Sequence, residues 1–278
     1  MIGLQCGEWA VTLLPEQGAA VASLTRDGRD LIVPVPTGAN PNQGFHSGYW
    51  MGPWTNRLDA GRIMVDGMEH HMPITRPAEN TALHGFIRDM PWRVESAGAE
   101  HAVLVLEFDR APFRGIARIE ARLAAMGLTL DVTLTNTGGV ATPMGFGWHP
   151  FLLRPPGTHL RFDAGTMFDR DARSLPITPH ATTGLDGADA TLDGHDTHFA
   201  AWDGVATMTR PDALPFTLRA TGAWSRNLHV FTPPGAGVLC VEPVTHAPDA
   251  ANRAEAAAHG AMHLLAPGEM LAAALTLG

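Results

Sequence analysis

Hydrophobic alternation at period two recurs through this chain and commits it to sheet structure. Leu128, Leu130, Val132 and Leu134 alternate with Thr129, Asp131, Thr133 and Thr135, a pattern that puts one face of a strand in a core and the other toward solvent. The preceding run alternates in the same way, Ile119, Ala121 and Leu123 against Arg118, Glu120 and Arg122, with Gly127 between the two. Together they read as a hairpin, closed by the turn signal Asn136-Thr137-Gly138-Gly139. Further strands are expected at residues 11–14, 102–108, 216–220, 228–231, 238–241 and 271–277. Of these, 102–108 is nearly continuous in apolar residues, as for a strand covered on both faces. Helical patterning is confined to residues 250–259, and the turn-rich stretch 154–196 reads as long loops. The 30 glycines and 22 prolines fit many short strands joined by turns. With neither repeat nor linker, residues 1–278 are expected to form one large antiparallel all-β domain.

Composition removes several functions. A net charge of −9 argues against nucleic acid or an anionic membrane as a partner. Every basic side chain other than histidine is one of 19 arginines, so Schiff-base catalysis through lysine is excluded. Cys6 and Cys240 form no spaced motif, which suggests neither a zinc knuckle nor a disulfide framework. The chain shows no leader pattern and no apolar stretch of membrane-spanning length, and the expected compartment is the cytoplasm. Phosphate-cradling glycine loops and a Gly-x-Ser-x-Gly elbow are absent.

Polar clusters interrupt the strands at five places: Asn56-Arg57-Leu58, Leu83-His84-Gly85, Trp148-His149-Pro150-Phe151, His195-Asp196-Thr197-His198-Phe199, and Val241-Glu242-Pro243-Val244-Thr245 followed by Pro248-Asp249-Ala250. Taken singly, Arg57 reads as a surface ion-pair residue, His84 as a structural histidine, Asp196 as a turn cap and Asp249 as a helix N-cap. Glu242 resists such a reading. It ends the apolar run Val238-Leu239-Cys240-Val241, where a carboxylate is costly without a partner or a task. Paired with His149 it would make an acid–base couple. Ordinary pKa values of about 4.3 and 6.5 would leave Glu242 ionised near neutrality, with His149 able to donate if a carboxylate raised its pKa. The pairs Asp196/His198 and His70/His71 lack a clear third metal ligand.

Taken in order, the clusters resemble the aldose 1-epimerase (galactose mutarotase) family, whose Asn-Arg-Ile, Leu-His-Gly, His-Pro-Tyr/Phe, Asp-x-x-Phe and Glu-Pro-Gln-Thr…Pro-Asp-Ala segments they match. Trp92 and Leu265-Ala266-Pro267-Gly268-Glu269 extend the match. The resemblance implies a galactose mutarotase-like β-sandwich with a sugar cleft on one sheet, no cofactor and no metal. It also implies Glu242 as general base at the anomeric hydroxyl, His149 as general acid at the ring oxygen, and Arg57, His84 and Asp196 as substrate-binding residues. Trp54, Trp148 and Phe151 offer flat surfaces for a sugar face. Three departures, Val244 for the family glutamine, Phe86 for a second glycine and Leu152-Leu153-Arg154 after Phe151, imply another sugar or a sugar derivative. The expected partner is a monosaccharide, with a homodimer allowed.

The rival readings are a non-catalytic sugar-binding protein on the same fold and a metal-dependent sugar isomerase. The acid–base couple argues against the first, since binding alone does not require it, and poor ligand spacing disfavours the second. A phosphorylated sugar would call on arginines such as Arg154 and Arg173, which nothing in the sequence places at the site.

Overall fold

In a computed structural model, which describes residues 1–278, the alternating hairpin forms as its pattern requires. Phe113–Ala124 pairs antiparallel with Gly127–Asn136, from Ala124 opposite Gly127 to Gly115 opposite Asn136. Leu128, Leu130, Val132 and Leu134 are buried, while Thr129, Asp131 and Thr133 stay half-exposed. Gly127 has φ 122°, and an added Cβ would lie 2.0 Å from the Leu277 carbonyl oxygen, so only glycine turns the chain there.

This hairpin forms the third and fourth strands of a nine-stranded sheet. Met270–Leu277 and Ala213–Gly222 extend it on one side, and His101–Arg110 and Arg93–Ala97 on the other. A twelve-stranded sheet faces it, with the central run Gly48–Met51, Gly147–Pro150, Val238–Val244, Asn227–Phe231 and Asp196–Ala200. Both sheets contribute to one cluster of 58 buried apolar residues, the filling of a β-sandwich. No helix is long and apolar enough to cross a membrane.

The central run of the larger sheet explains why its strands do not alternate in sequence. Val238–Val244 is buried at every position. Leu239 and Val241 enter the inter-sheet core, whereas Val238, Cys240 and Val244 pack on the opposite face with Tyr49, Met51 and Phe151. Trp50, Trp148, Leu228 and Val230 likewise belong to the core. The residues of opposite parity, Tyr49, His149, His229 and Glu242, line a cleft on the outer face of the sheet.

All six further strands expected from the sequence form, and 102–106 is buried without a break. Three expectations are corrected. The stretch 154–196 carries four strands, His159–Phe162, Thr166–Arg170, Pro176–Ala181 and Leu185–Ala188. They lie at the far ends of the two sheets and are partly exposed, so neither alternation nor a continuous apolar run marks them. The helix is shorter than expected, Ala254–Gly260, with Arg253 at its N-cap. Asp249 caps no helix. Its φ is 53°, and its carboxylate accepts hydrogen bonds from the Asp59 N–H, Asn252 Nδ2 and Arg253 Nε, tying the end of the strand Arg57–Asp59 to the turn before the helix.

Leu130→Ala, which leaves a cavity between the sheets, is expected to cost about 2–5 kcal/mol in urea unfolding. Thr133→Ala on the other face of the same strand should stay within roughly 0.5 kcal/mol.

Candidate active site

The cleft has a volume of about 620 Å³ and gathers side chains from segments far apart in sequence, among them Arg57, His84, His149, Asp196, His229 and Glu242. A smaller cavity of about 330 Å³ elsewhere, edged by Arg26, Arg29 and Asp212, contains no histidine and no buried carboxylate.

Strand register sets its floor. His149 lies opposite Tyr49 on one side, and Glu242 lies opposite His229 on the other. Gly147 opposite Val244 locks the two strands that carry the pair. An added Cβ at Gly147 would come within 2.9 Å of Val244 Cγ1 and 3.0 Å of the Pro243 carbonyl oxygen. His149 Nε2 then lies 3.2 Å from Glu242 Oε1. The His149 ring is stacked on Tyr49 at 4.5 Å and packs at 4.7 Å against Phe151.

The pair is close but not hydrogen-bonded. Both Glu242 oxygens and His149 Nδ1 are buried without a partner, although each such group costs about 1–3 kcal/mol. Burial raises the Glu242 carboxyl well above its ordinary range, with the Asp196 charge adding to it. Burial also lowers the His149 imidazole well below its ordinary value, aided by His229 and Arg88. Both effects favour neutral side chains and correct the expectation of an ionised Glu242 beside a His149 raised by a carboxylate. Desolvation at the bottom of the cleft outweighs the mutual attraction of the pair.

A second group of charges forms one wall. Arg57 opens the strand Arg57–Asp59 and is buried. Its Nε donates to Glu79 Oε2 at 2.7 Å, and its Nη2 lies 3.6 Å from Asp196 Oδ2. Asp196 accepts from His229 Nε2 at 2.9 Å and from Arg170 Nη1 at 2.5 Å. Burial alone would raise the Asp196 carboxyl, but the His229 hydrogen bond and the charges of His229, Arg57 and Arg170 hold it well below the usual carboxylate range. It therefore stays an anion, and Arg57 is a wall residue rather than a surface ion-pair residue.

His84 completes the ring of donors. Its φ is 64°, and its Nδ1 accepts from the Asn56 N–H at 3.1 Å. Burial, with Arg88 and His149 adding to it, lowers its pKa well below the ordinary value. The neutral ring then carries its proton on Nε2, the nitrogen free to donate. Left-handed backbone recurs around this histidine. Asn56 has φ 53°, a conformation asparagine tolerates, and Gly85 has φ 67° with no room for a Cβ, which would lie 1.9 Å from the Gly52 carbonyl oxygen.

All five site residues named from the sequence thus share one cleft. His229, on Asn227–Phe231, was not singled out, although a histidine between Leu228 and Val230 in an apolar strand marks its position. Asn56, Tyr49 and Phe231 also line the cleft. Among the flat surfaces expected, Phe151 lines the cleft, but Trp54 and Trp148 are core residues. Trp148 has the strand parity that faces the other sheet, and Trp54, in a bend outside any strand, packs on Phe86 and Phe113. Phe86 fills core space against Trp54, Phe108 and Phe113. Val244 packs with Met51 and Phe151 beneath the cleft, and Arg154 and Arg173 are engaged by Asp193 and Asp59. Of the pairs considered for metal, His198 is buried on Asn227, and His71 is exposed on Glu69. A different trio could hold a cation. Donor atoms of His149, Cys240 and Glu242 lie within 4.8 Å of one another, and a cation there would take up both His149 and Glu242.

The aldose 1-epimerase family model matches residues 7–278. The Escherichia coli protein YphB, named only as an uncharacterized protein, is 24% identical over 274 residues, covering 94% of this chain and 93% of its own. A second E. coli protein of that description, YihR, is 28% identical over 193 residues, which span 66% of this chain and 62% of the relative. In structure, a galactose mutarotase-like protein from Clostridium acetobutylicum superposes with a TM-score of 0.88 at 16% identity, covering 99% of this chain and 94% of that one.

Gly85→Ala should lower stability by at least about 2 kcal/mol, because strain and a backbone clash combine. Gly7→Ala, at φ 57° with nothing within 4 Å, should cost only the left-handed conformation, about 1–2 kcal/mol. Equal losses in urea unfolding would show that the Gly85–Gly52 approach does not hold the loop.

Proposed function

The chain belongs to the aldose 1-epimerase family, and from that premise we propose that it interconverts the α and β anomers of an aldose or aldose derivative by acid–base ring opening and closure. The observation that carries this reading is the 3.2 Å approach of His149 Nε2 to Glu242 Oε1 at the base of a cleft walled by hydrogen-bonding groups. Anomer exchange moves protons and no electrons, so it calls on no redox group or electron sink.

The pair holds one proton. In the free protein burial keeps it on Glu242, beside a neutral His149. A sugar offers hydroxyl donors to the unpartnered carboxylate oxygens, which favours the ionised carboxylate, and the proton passes to His149. Glu242 then takes the proton of the anomeric hydroxyl as His149 protonates the ring oxygen. The bond between C1 and the ring oxygen breaks and the C1–O1 bond becomes a carbonyl. Rotation about C1–C2 exposes the other carbonyl face. Closure reverses each transfer, with Glu242 returning its proton to O1 and His149 recovering one from the ring-forming hydroxyl. Arg57 and the Nε2–H of His84 supply donors to oxygens that gain charge on the way. Asp196 accepts from ring hydroxyls while anchoring His229.

Glu242→Gln and His149→Asn should each reduce enzyme-catalysed anomer exchange, measured by NMR saturation transfer, by about 10²–10⁴-fold while the fold is retained. Full activity in either variant would sink the mechanism. Sugar binding without exchange in the unaltered protein would favour a sensor.

The one-proton state is lost in acid when His149 gains a second proton. Because its pKa is depressed by burial, kcat/KM should still be on its plateau at pH 6.5, with the acid limb lying below. An inflection at the ordinary imidazole value would show that the ring is solvated in the working enzyme.

A further inference from the structure

Arginines on the rim of the cleft are left over after its charges are matched. Two carboxylates line it, Asp196 and Glu242. Asp196 is already bound by His229, Arg170 and Arg57, and Arg57 is itself held by Glu79. Burial favours neutral Glu242. Two more cleft residues, Arg76 and Arg88, carry charge without a close partner. Arg76 is exposed and makes no ion pair. Arg88 has only the exposed Asp89 at 3.9 Å, its guanidinium lies 4.8 Å from the Tyr49 ring centroid, and its Nε is buried without a hydrogen-bond partner. Unmatched cations are unexpected in the one cleft that holds the acid–base pair of a chain with net charge −9.

Their place relative to His149 gives them a task. The Tyr49 ring that carries Arg88 on one side is stacked at 4.5 Å on His149. If His149 serves the ring oxygen, then C5 and its exocyclic C6 lie next to this wall, since C5 is bonded to that oxygen. A neutral hydroxymethyl group there would leave two guanidinium groups unanswered. An anionic group would accept their forked donors.

We propose that the substrate is an aldose bearing an anionic group on its exocyclic carbon, a carboxylate or a phosphate, and that Arg88 and Arg76 select it. This rests on the anomer-exchange reading for the orientation of the sugar, while the recognition itself needs only binding. Arg88 is the inner contact, braced by Tyr49 and by its backbone carbonyl, which accepts from Asn42 Nδ2 at 2.5 Å. Arg76 meets the anion from the solvent side. Neither takes part in proton transfer.

The test compares glucose, glucuronate and glucose 6-phosphate, with the matching galactose set, in anomer exchange and in equilibrium binding by calorimetry. At least one anionic class should show kcat/KM tenfold or more above its neutral parent, and its KM should rise with salt as charge pairing is screened. Comparison of uronate with phosphate identifies which anion fits. Arg88→Met and Arg76→Met should each raise KM for the preferred anionic sugar by tenfold or more beyond any rise for the neutral parent. Arg88→Lys should recover part of the loss. Equal use of neutral and anionic sugars, or an equal loss on both in the variants, would overturn the selection while leaving anomer exchange intact. Tight, arginine-dependent binding of an anionic sugar without exchange would uphold the selection and refute the exchange reading. No preference for anions in binding would refute the selection whatever the kinetics.

Discussion

The antiparallel ladder through Val238–Val244 is the constraint on which the site depends. It pairs Glu242 with His229 on one side and Val244 with Gly147 on the other. Side chains alternate along a strand, so a slip of one residue would send Glu242 into the inter-sheet core and Val241 into the cleft. The slip is opposed by the bulk of Leu239 and Val241, both fully buried between the sheets. Core packing thus fixes the height and facing of the carboxylate. The same logic holds for His149, whose neighbour Trp148 fills the core while its own ring enters the cleft.

Two styles of charge burial meet in this cleft and differ in consequence. Asp196 is buried with its partners in place, so it remains an anion and serves as a fixed wall. Glu242 is buried without hydrogen bonds, so it is held in an unfavourable state that added hydrogen-bond donors would relieve. An unpartnered carboxylate of this kind places a stability cost at the floor of the cleft. His229 joins the two styles, since it donates to Asp196 and stands opposite Glu242 in the ladder.

Much of the architecture could be read from residue patterns, because alternation records one-sided burial directly. The hairpin of Phe113–Ala124 and Gly127–Asn136 is the clearest case, with threonines and arginines marking the outer face. The strands within 154–196 were not legible, since partly exposed strands at sheet ends need no regular apolar face. Asp249 was misread for a related reason. Its local sequence suits a helix cap, but its carboxylate is claimed by the Asp59 N–H at the end of a strand distant in sequence. Among the cleft residues, Glu242 stood out because a carboxylate at the end of an apolar run needs an explanation, while Arg57, His84, His149 and Asp196 emerged as a set through the family resemblance of their clusters. His229 gave the same signal within Leu228-His229-Val230, but more quietly, and Arg88 gave none.

By itself the sequence determined the class of structure and marked His149 and Glu242 as ionisable groups set in apolar sequence, since both follow from which residue types occur and in what pattern. The tertiary structure decided what surrounds them. It paired His149 with Glu242 across neighbouring strands, buried both so that the neutral forms win, and turned Trp148 inward while leaving Tyr49 and Phe151 to wall the cleft. Distance, solvation and the parity of a strand against its sheet are properties of the folded chain, because they arise only when segments far apart in sequence exclude water from one another.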